Sequence, residues 1–314
     1  MRIQQEPTRF RKMEATGNDY VYFGPYLGST GNFDIARTDA ILQWLTESTI
    51  RRISDRHFGV GGDGVVLVAP PRDPDAAAAR MYMWNADGSP SAMCGNALRS
   101  VALLIHLETR RFHFSVEMGE SIYDCKLEES GEGAFKISVD MGPPILPLDL
   151  VPFAEVQGRV IEKPDQARIL PARVELDAGG ISWSGYTLSM GNPHFVVDLG
   201  EHTAGGLDGL DLRTMGPVLE HHSAFPERVN TEFIEWKDSG RIRQRTFERG
   251  SGETLSCGSG ACAAFIAARA SVEKQGRTLN ELEVELRGGV LELSLHEDRI
   301  QMTGPAHIVF EGWI

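Results

Sequence analysis

Two cysteines, Cys94 and Cys257, each open a glycine-containing turn that runs straight into a helix-like stretch. The first block reads Met93-Cys94-Gly95-Asn96, then Ala97-Leu98-Arg99-Ser100-Val101-Ala102. The second reads Ser256-Cys257-Gly258-Ser259-Gly260, then Ala261-Cys262-Ala263-Ala264-Phe265. A helix N-terminus offers unsatisfied N–H groups and the positive end of the helix dipole, so a thiol placed there has its thiolate favoured. One such thiol suits many enzymes. Two, placed alike in the two halves of a chain, suggest a pair working on one substrate. A carbon held between them would lose a proton to one thiolate and regain one from the opposite thiol, inverting a stereocentre without a cofactor. The N–H groups around Gly95-Asn96 and Gly258-Ser259 would cradle a carboxylate and stabilise the enolate-like charge that develops.

The segments that must position these thiols recur as well. Gly17-Asn18-Asp19-Tyr20-Val21-Tyr22 is echoed by Gly191-Asn192-Pro193-His194-Phe195-Val196, each a Gly-Asn turn leading into a strand-like run. Met81-Tyr82-Met83-Trp84 leads to Asn85 and, nine positions later, Cys94. Arg245-Thr246-Phe247 leads to Glu248 and, nine positions later, Cys257. Order and approximate spacing both recur, which points to a duplicated unit. Ala97 to Leu107 and Ala261 to Val272 are too densely apolar for surface helices and are expected to be buried. Around them lie strand-like runs, among them Val65-Val66-Leu67-Val68, Phe135 to Val139, Phe233 to Trp236 and Val290 to Leu295. Thr38 to Ile53 reads as one further amphipathic helix, and Asp73 to Ala79 as a surface insertion.

The expected fold class is therefore α+β. It comprises two similar, pseudo-symmetric domains, each a mostly antiparallel sheet or barrel wrapped around a central helix, with the site in the cleft between them. The first half spans 1–140, with a C-terminal strand at 303–314 returning to it, and the second spans 141–302. The border falls where Met141-Gly142-Pro143-Pro144 interrupts the pattern.

Composition removes several function classes. A net charge of −13 leaves no basic surplus to displace the counterions of nucleic acid. No apolar run approaches the roughly 18 residues of a membrane helix, and Met1 to Lys12 is polar and basic, unlike a secretory leader. Four cysteines are too few for a disulfide scaffold, so a cytoplasmic protein is expected. Gly59-Val60-Gly61-Gly62-Asp63-Gly64 satisfies a dinucleotide-binding pattern in form, but a strand-like run follows it where a helix is needed. No Cys-x-x-Cys pair or His-Cys cluster suggests zinc, and neither metal nor cofactor is expected.

Taken together, the chain resembles the diaminopimelate epimerases, cofactor-independent enzymes of lysine and peptidoglycan precursor biosynthesis. The matching blocks run nearly end to end: Gly17-Asn18-Asp19, Arg56 to Gly64, Asn85-Ala86-Asp87-Gly88-Ser89, Met93 to Asn96, Met190 to His194, Val229 to Phe233, Glu248-Arg249-Gly250 and the Cys257 block. The resemblance implies an isomerase interconverting LL- and meso-diaminopimelate, acting as a homodimer. It makes Cys94 and Cys257 the two catalytic bases, with His194 and Glu248 as polar partners that set their protonation and hold the substrate ammonium. Gly95, Asn96, Gly258 and Ser259 would hold the reacting carboxylate, and Asn18, Asn85, Asn192, Asn230 and Arg249 the rest of the substrate. The fork of Arg249 matches a distal carboxylate, which favours a diamino dicarboxylate over a simple amino acid. Three departures stand out. Met13-Glu14-Ala15-Thr16 replaces Met-His-Gly-x, Ala97 replaces a glycine, and Gly64 stands where some members carry Gln.

Competing readings are a related racemase of another amino acid, such as histidine, a catalytically dead binding module, and a thiol–disulfide oxidoreductase. The last lacks the close Cys-x-x-Cys spacing. Cys94 and Cys257 could instead be oxidised to an inactive disulfide. Cys125, in a strand-like run, and Cys262, inside the apolar helix, read as small core residues.

Overall fold

The computed structural model describes residues 7–28, 31–91, 93–131, 133–200 and 205–314. Met1 to Glu6, on which half of the leader reading rests, lie outside the described residues. The chain divides into two compact units, Met1–Val139 with Gly304–Ile314, and Asp140–Thr303.

The first unit runs β1 (Arg9–Ala15), β2 (Asn18–Phe23), α1 (Ile35–Trp44), α2 (Glu47–Ser54), β3 (Gly64–Ala69), β4 (Ala79–Asn85), α3 (Gly95–Thr109), β5 (His113–Met118), β6 (Ser121–Gly131) and β7 (Ala134–Asp140). The second runs β8 (Arg159–Glu162), β9 (Ala172–Ala178), β10 (Ile181–Ser189), β11 (Pro193–Asp198), α4 (Leu212–Glu220), β12 (Asn230–Asp238), β13 (Arg241–Glu248), β14 (Gly252–Thr254), α5 (Gly258–Glu273), β15 (Glu281–Leu286), β16 (Gly289–His296) and β17 (Arg299–Gly304). The chain then returns to the first unit as β18 (His307–Trp313), which pairs antiparallel with β1.

Strand pairing makes the duplication explicit. In the first unit β1–β2 is antiparallel, β2–β3 parallel, β3–β4 antiparallel, β4–β5 parallel, and β5–β6–β7 antiparallel. In the second, β10–β11, β11–β12, β12–β13, β13–β15 and β15–β16–β17 repeat that series of directions in the same order. Each parallel step needs a crossover. The first crossover of each unit carries α1 and α2 or α4, and the second carries α3 or α5. The expected α+β class with pseudo-symmetric halves is what the chain adopts.

Both central helices are buried because they are apolar nearly all round. From Gly95 to His106 every residue of α3 is buried, and α5 is buried from Gly258 to Ala268. Helix α3 packs against β1, β2, β4 and β6, and α5 against β10 to β13, β15 and β16. The alanines of α5 let strands approach closely on every side. Helices α1 and α2 cover the opposite face of the first sheet, where Ile41, Leu45, Ile50 and Ile53 meet Val21, Phe23, Val65 and Leu67. In the second unit Leu212 and Leu219 of α4 pack with Phe195, Phe233 and Trp183. Strands covered on both faces read as continuous apolar runs, which is why Val65 to Val68 does not alternate. Cys125 and Cys262 are core residues, as expected.

The expected single helix over 38–53 is two. Thr46 breaks it: its backbone is extended and its side chain accepts from Thr49 N, capping α2. Amphipathic periodicity continues across the break and conceals it. The insertion at 73–79 is exposed only to Asp75–Ala76; Ala77 and Ala79 are buried, and Ala79 already begins β4.

Thermal or urea unfolding ranks these features. Leu98→Ala, in the buried stretch of α3, should cost about 2–5 kcal/mol. Thr46→Ala, at a cap, should cost about 1 kcal/mol.

Candidate active site

The site residues are best built from the two helix starts. Cys94 and Cys257 are the N-caps of α3 and α5, both with extended backbone (φ −151°, ψ 107° and φ −123°, ψ 111°). A cap side chain accepts from the N–H groups of the first turn. Here the acceptor is sulfur: Ala97 N donates to Cys94 Sγ at 3.4 Å and Gly260 N to Cys257 Sγ at 3.3 Å. Gly95, Asn96, Gly258 and Ser259 are therefore the first helical residues beneath the thiols, all buried. All four cysteines are free thiols, so the disulfide reading is not what the structure adopts.

In the first unit, Asn18 begins β2 after the two-residue Thr16-Gly17 turn, whose positive φ angles (50° and 81°) suit a tight hairpin. Its Oδ1 accepts from Cys94 Sγ at 3.5 Å. The departure at 14–16 has a structural substitute. Glu14 accepts from Gly17 N at 2.9 Å and pairs with His307 at 2.7 Å, while fully buried Arg99 donates to Thr16 Oγ1 at 3.1 Å and to Pro305 O at 3.2 Å. Asn85 closes β4, exposed, and its amide donates to Ser89 within its own turn. Gly64 has a plain cause: a Cβ there would lie 2.0 Å from Trp84 O and 3.0 Å from the Tyr20 ring. No glutamine fits on this backbone.

In the second unit, His194 is fully buried on β11, opposite Asn230 in the parallel pair with β12. Its Nδ1 lies 2.9 Å from Glu232 Oε1 and its Nε2 3.1 Å from Asn192 Oδ1. Asn230 Oδ1 accepts from Arg249 N at 2.8 Å. The Arg249 guanidinium is exposed and steadied by Glu227 O at 2.9 Å. Glu248, half-buried at the end of β13, accepts from Thr254 Oγ1, and Cys257 Sγ lies 3.5 Å from Ser259 Oγ.

Glu232 received no role from the sequence, yet it joins these groups. It is fully buried, bonds His194, and lies so close to α5 that a Cβ on residue 260 would be 2.5 Å from its Oε1. An acid inside an apolar strand run, Thr231-Glu232-Phe233, was the available signal.

The electrostatics of Cys257 differ from the expectation of a favoured thiolate. Burial pushes this thiol well above its ordinary range, with the negative charges of Glu248 and then Glu232 adding to it. The bonds from Ser259 and Gly260 N oppose them without prevailing. Desolvation of the charged form outweighs the helix N-terminus. Burial likewise raises the Glu248 carboxyl, which Thr254 and Cys257 partly stabilise as the anion. Burial raises Cys125 to about 12, leaving it inert. Among the described residues no group of three or more His, Cys, Asp or Glu is arranged to hold a metal, and no helix is long and apolar enough to cross a membrane.

The duplicated α+β fold is shared with solved structures of low sequence identity. The probable proline racemase of Agrobacterium radiobacter superposes with a TM-score of 0.63 over 98% of this chain and 92% of that one, at 16% identity. Sequence narrows the class. The diaminopimelate epimerase family model matches residues 30–147 and 186–309. Diaminopimelate epimerases of Leptospira biflexa and Desulfovibrio desulfuricans are 36% and 38% identical to this chain. The first alignment covers 96% of this chain and 97% of the relative, the second 97% of each. The chain belongs to the diaminopimelate epimerase family, a family of isomerases.

Glu232→Gln removes one buried negative charge from beside Cys257 and should move its thiol titration downward. Thiolate absorbance in the ultraviolet, followed against pH in a Cys94→Ser background, would register the shift.

Proposed function

We propose that this protein epimerises LL-diaminopimelate to meso-diaminopimelate by a two-base thiol mechanism that uses the chain's own residues alone. The observation that supports it most is the matched pair of thiols capping α3 and α5, within a chain that is 35–38% identical to diaminopimelate epimerases over nearly its whole length. One cysteine, as thiolate, takes the α-proton; the other, as thiol, returns a proton to the opposite face. The raised Cys257 thiol suits a group that rests protonated and can donate. The first-turn N–H groups at Gly95-Asn96 and Gly258-Ser259 receive the reacting carboxylate and the charge that grows on it during deprotonation. His194, fixed between Glu232 and Asn192, and Glu248 hold the ammonium and tune Cys257.

Asn18, Asn85, Asn192 and Asn230 contact the remainder of the substrate, and Arg249 clamps its distal carboxylate. What supports this reading is an exposed guanidinium, anchored through its backbone to Asn230 and through Nη1 to Glu227 O. A monocarboxylic amino acid such as histidine would leave that charge unmatched. The same reading makes the enzyme a cytoplasmic homodimer. Val309, Phe310 and Trp313 of β18 leave apolar surface exposed that a second copy would cover.

Chiral chromatography of a substrate panel tests this directly. LL-Diaminopimelate should equilibrate with the meso form in reducing buffer while histidine and proline stay unchanged, and its failure to epimerise would sink the proposal. Solvent deuterium should enter the α-position, and Cys94→Ser or Cys257→Ser should each lower turnover by about 10²–10⁴-fold. Arg249→Leu should raise KM by about 10- to 100-fold, the worth of a charge-assisted hydrogen-bond pair.

A further inference from the structure

Asp63 has none of the roles assigned above, yet it bonds the same Asn18 amide that Cys94 faces. Its Oδ2 accepts from Asn18 Nδ2 at 2.7 Å and from Asp19 N at 3.1 Å, and its Oδ1 from Arg56 Nη2 at 2.9 Å. Arg56 also grips Asp19 with both Nη atoms, at 3.0 and 2.6 Å, and Asp19 pairs with buried Lys12 at 2.5 Å. The carboxylate of Asp63 is thus held by the Asp19 backbone and the Arg56 guanidinium independently of Asn18. An ionised carboxylate only accepts, so the Asn18 amide must turn its NH₂ toward it. The carbonyl oxygen then points the other way, to where Cys94 Sγ lies 3.5 Å off.

We propose that Asp63 is a positioning residue for Cys94: by fixing the orientation of the Asn18 amide, it presents the thiol with an acceptor oxygen in place of an N–H donor. The inference rests on the reading of Cys94 as an acid–base group. Two of the thiol's neighbours act on it in opposite directions. The Ala97 N–H donates to Sγ and favours the thiolate; the Asn18 oxygen accepts and favours the thiol. With the amide reversed, both neighbours would be donors. Cys94 would ionise more readily and be a weaker base for an α-proton. Tyr20 is buried near the pair. Its phenol is pushed well up, first by burial and then by the negative charge of Cys94, with Asp63 contributing less. The groups around Cys94 in this cluster are therefore Asn18, Tyr20, fully buried Tyr22, Asp63, Arg56, Asp19 and Lys12.

The test reads the thiol without substrate, so it stands or falls separately from the epimerase assay. Iodoacetamide alkylation of the Cys94 peptide in the full-length chain is followed by mass spectrometry against pH. Asp63→Ala should lower the midpoint by about one unit, the size of one lost hydrogen-bond preference. Asp63→Asn removes the same charge but keeps an acceptor oxygen for Asn18, so its midpoint should stay near the parent value. Equal shifts in the two variants would assign the effect to charge alone and overturn the proposal, as would no shift in either. If Asp63→Ala does not fold, Asn18→Ala takes its place: it should give the same downward shift, and an unmoved midpoint overturns the proposal equally.

Discussion

The rest of the structure depends on a sulfur atom standing where a helix cap usually has oxygen. A buried helix begins with N–H groups that have no intrahelical partner, and leaving them unpaired in an apolar core is costly. Here the cap is a thiol, at Cys94 for α3 and at Cys257 for α5. The group proposed to react and the structural necessity are the same atom. This explains why both helices are wrapped by strands almost completely: only burial makes the cap indispensable and keeps water away from the thiol. It also explains why the residues just beneath are Gly-Asn and Gly-Ser. Small or amide-bearing residues leave the first turn open to a ligand.

The two thiols share a cap geometry but not an environment. Cys94 is half-buried and faces an amide oxygen. Cys257 is buried, and two carboxylates oppose its ionisation. In each unit an acidic side chain fixes a polar partner. Asp63 orients Asn18 in the first, and Glu232 holds His194 in the second. Duplication supplied the frame, and the two halves then filled equivalent places with different chemistry. On the proposed mechanism a symmetric scaffold performs an asymmetric task, with one thiol beginning charged and the other neutral.

Much of this was legible in the sequence because duplication prints the same signals twice. The Gly-Asn turns, the runs before Asn85 and Glu248, and the cysteine-led helices recur in order, and the pairing directions of the strands repeat accordingly. What stayed hidden has physical causes. The break at Thr46 is a cap set inside an unbroken amphipathic pattern. Gly64 is dictated by the backbone of a neighbouring strand, which no local pattern records. Asp63 and Glu232 sit within motifs and looked like part of the pattern; their importance lies in partners distant along the chain. The helix-start argument gave the place of Cys257 correctly but its charge state wrongly, because burial is a property of the whole unit.

Strand β18 has a consequence in time. Its register with β1 sets Arg9 opposite Trp313 and Glu14 opposite His307, and Pro305, just before it, receives the hydrogen bond from Arg99. The turn that carries Asn18 is therefore secured by residues that leave the ribosome long after it. The second unit can condense from one continuous stretch of chain, whereas the first must wait, with β1 unpaired along one side, until some three hundred residues have been made. The half that emerges first is the half that is finished last.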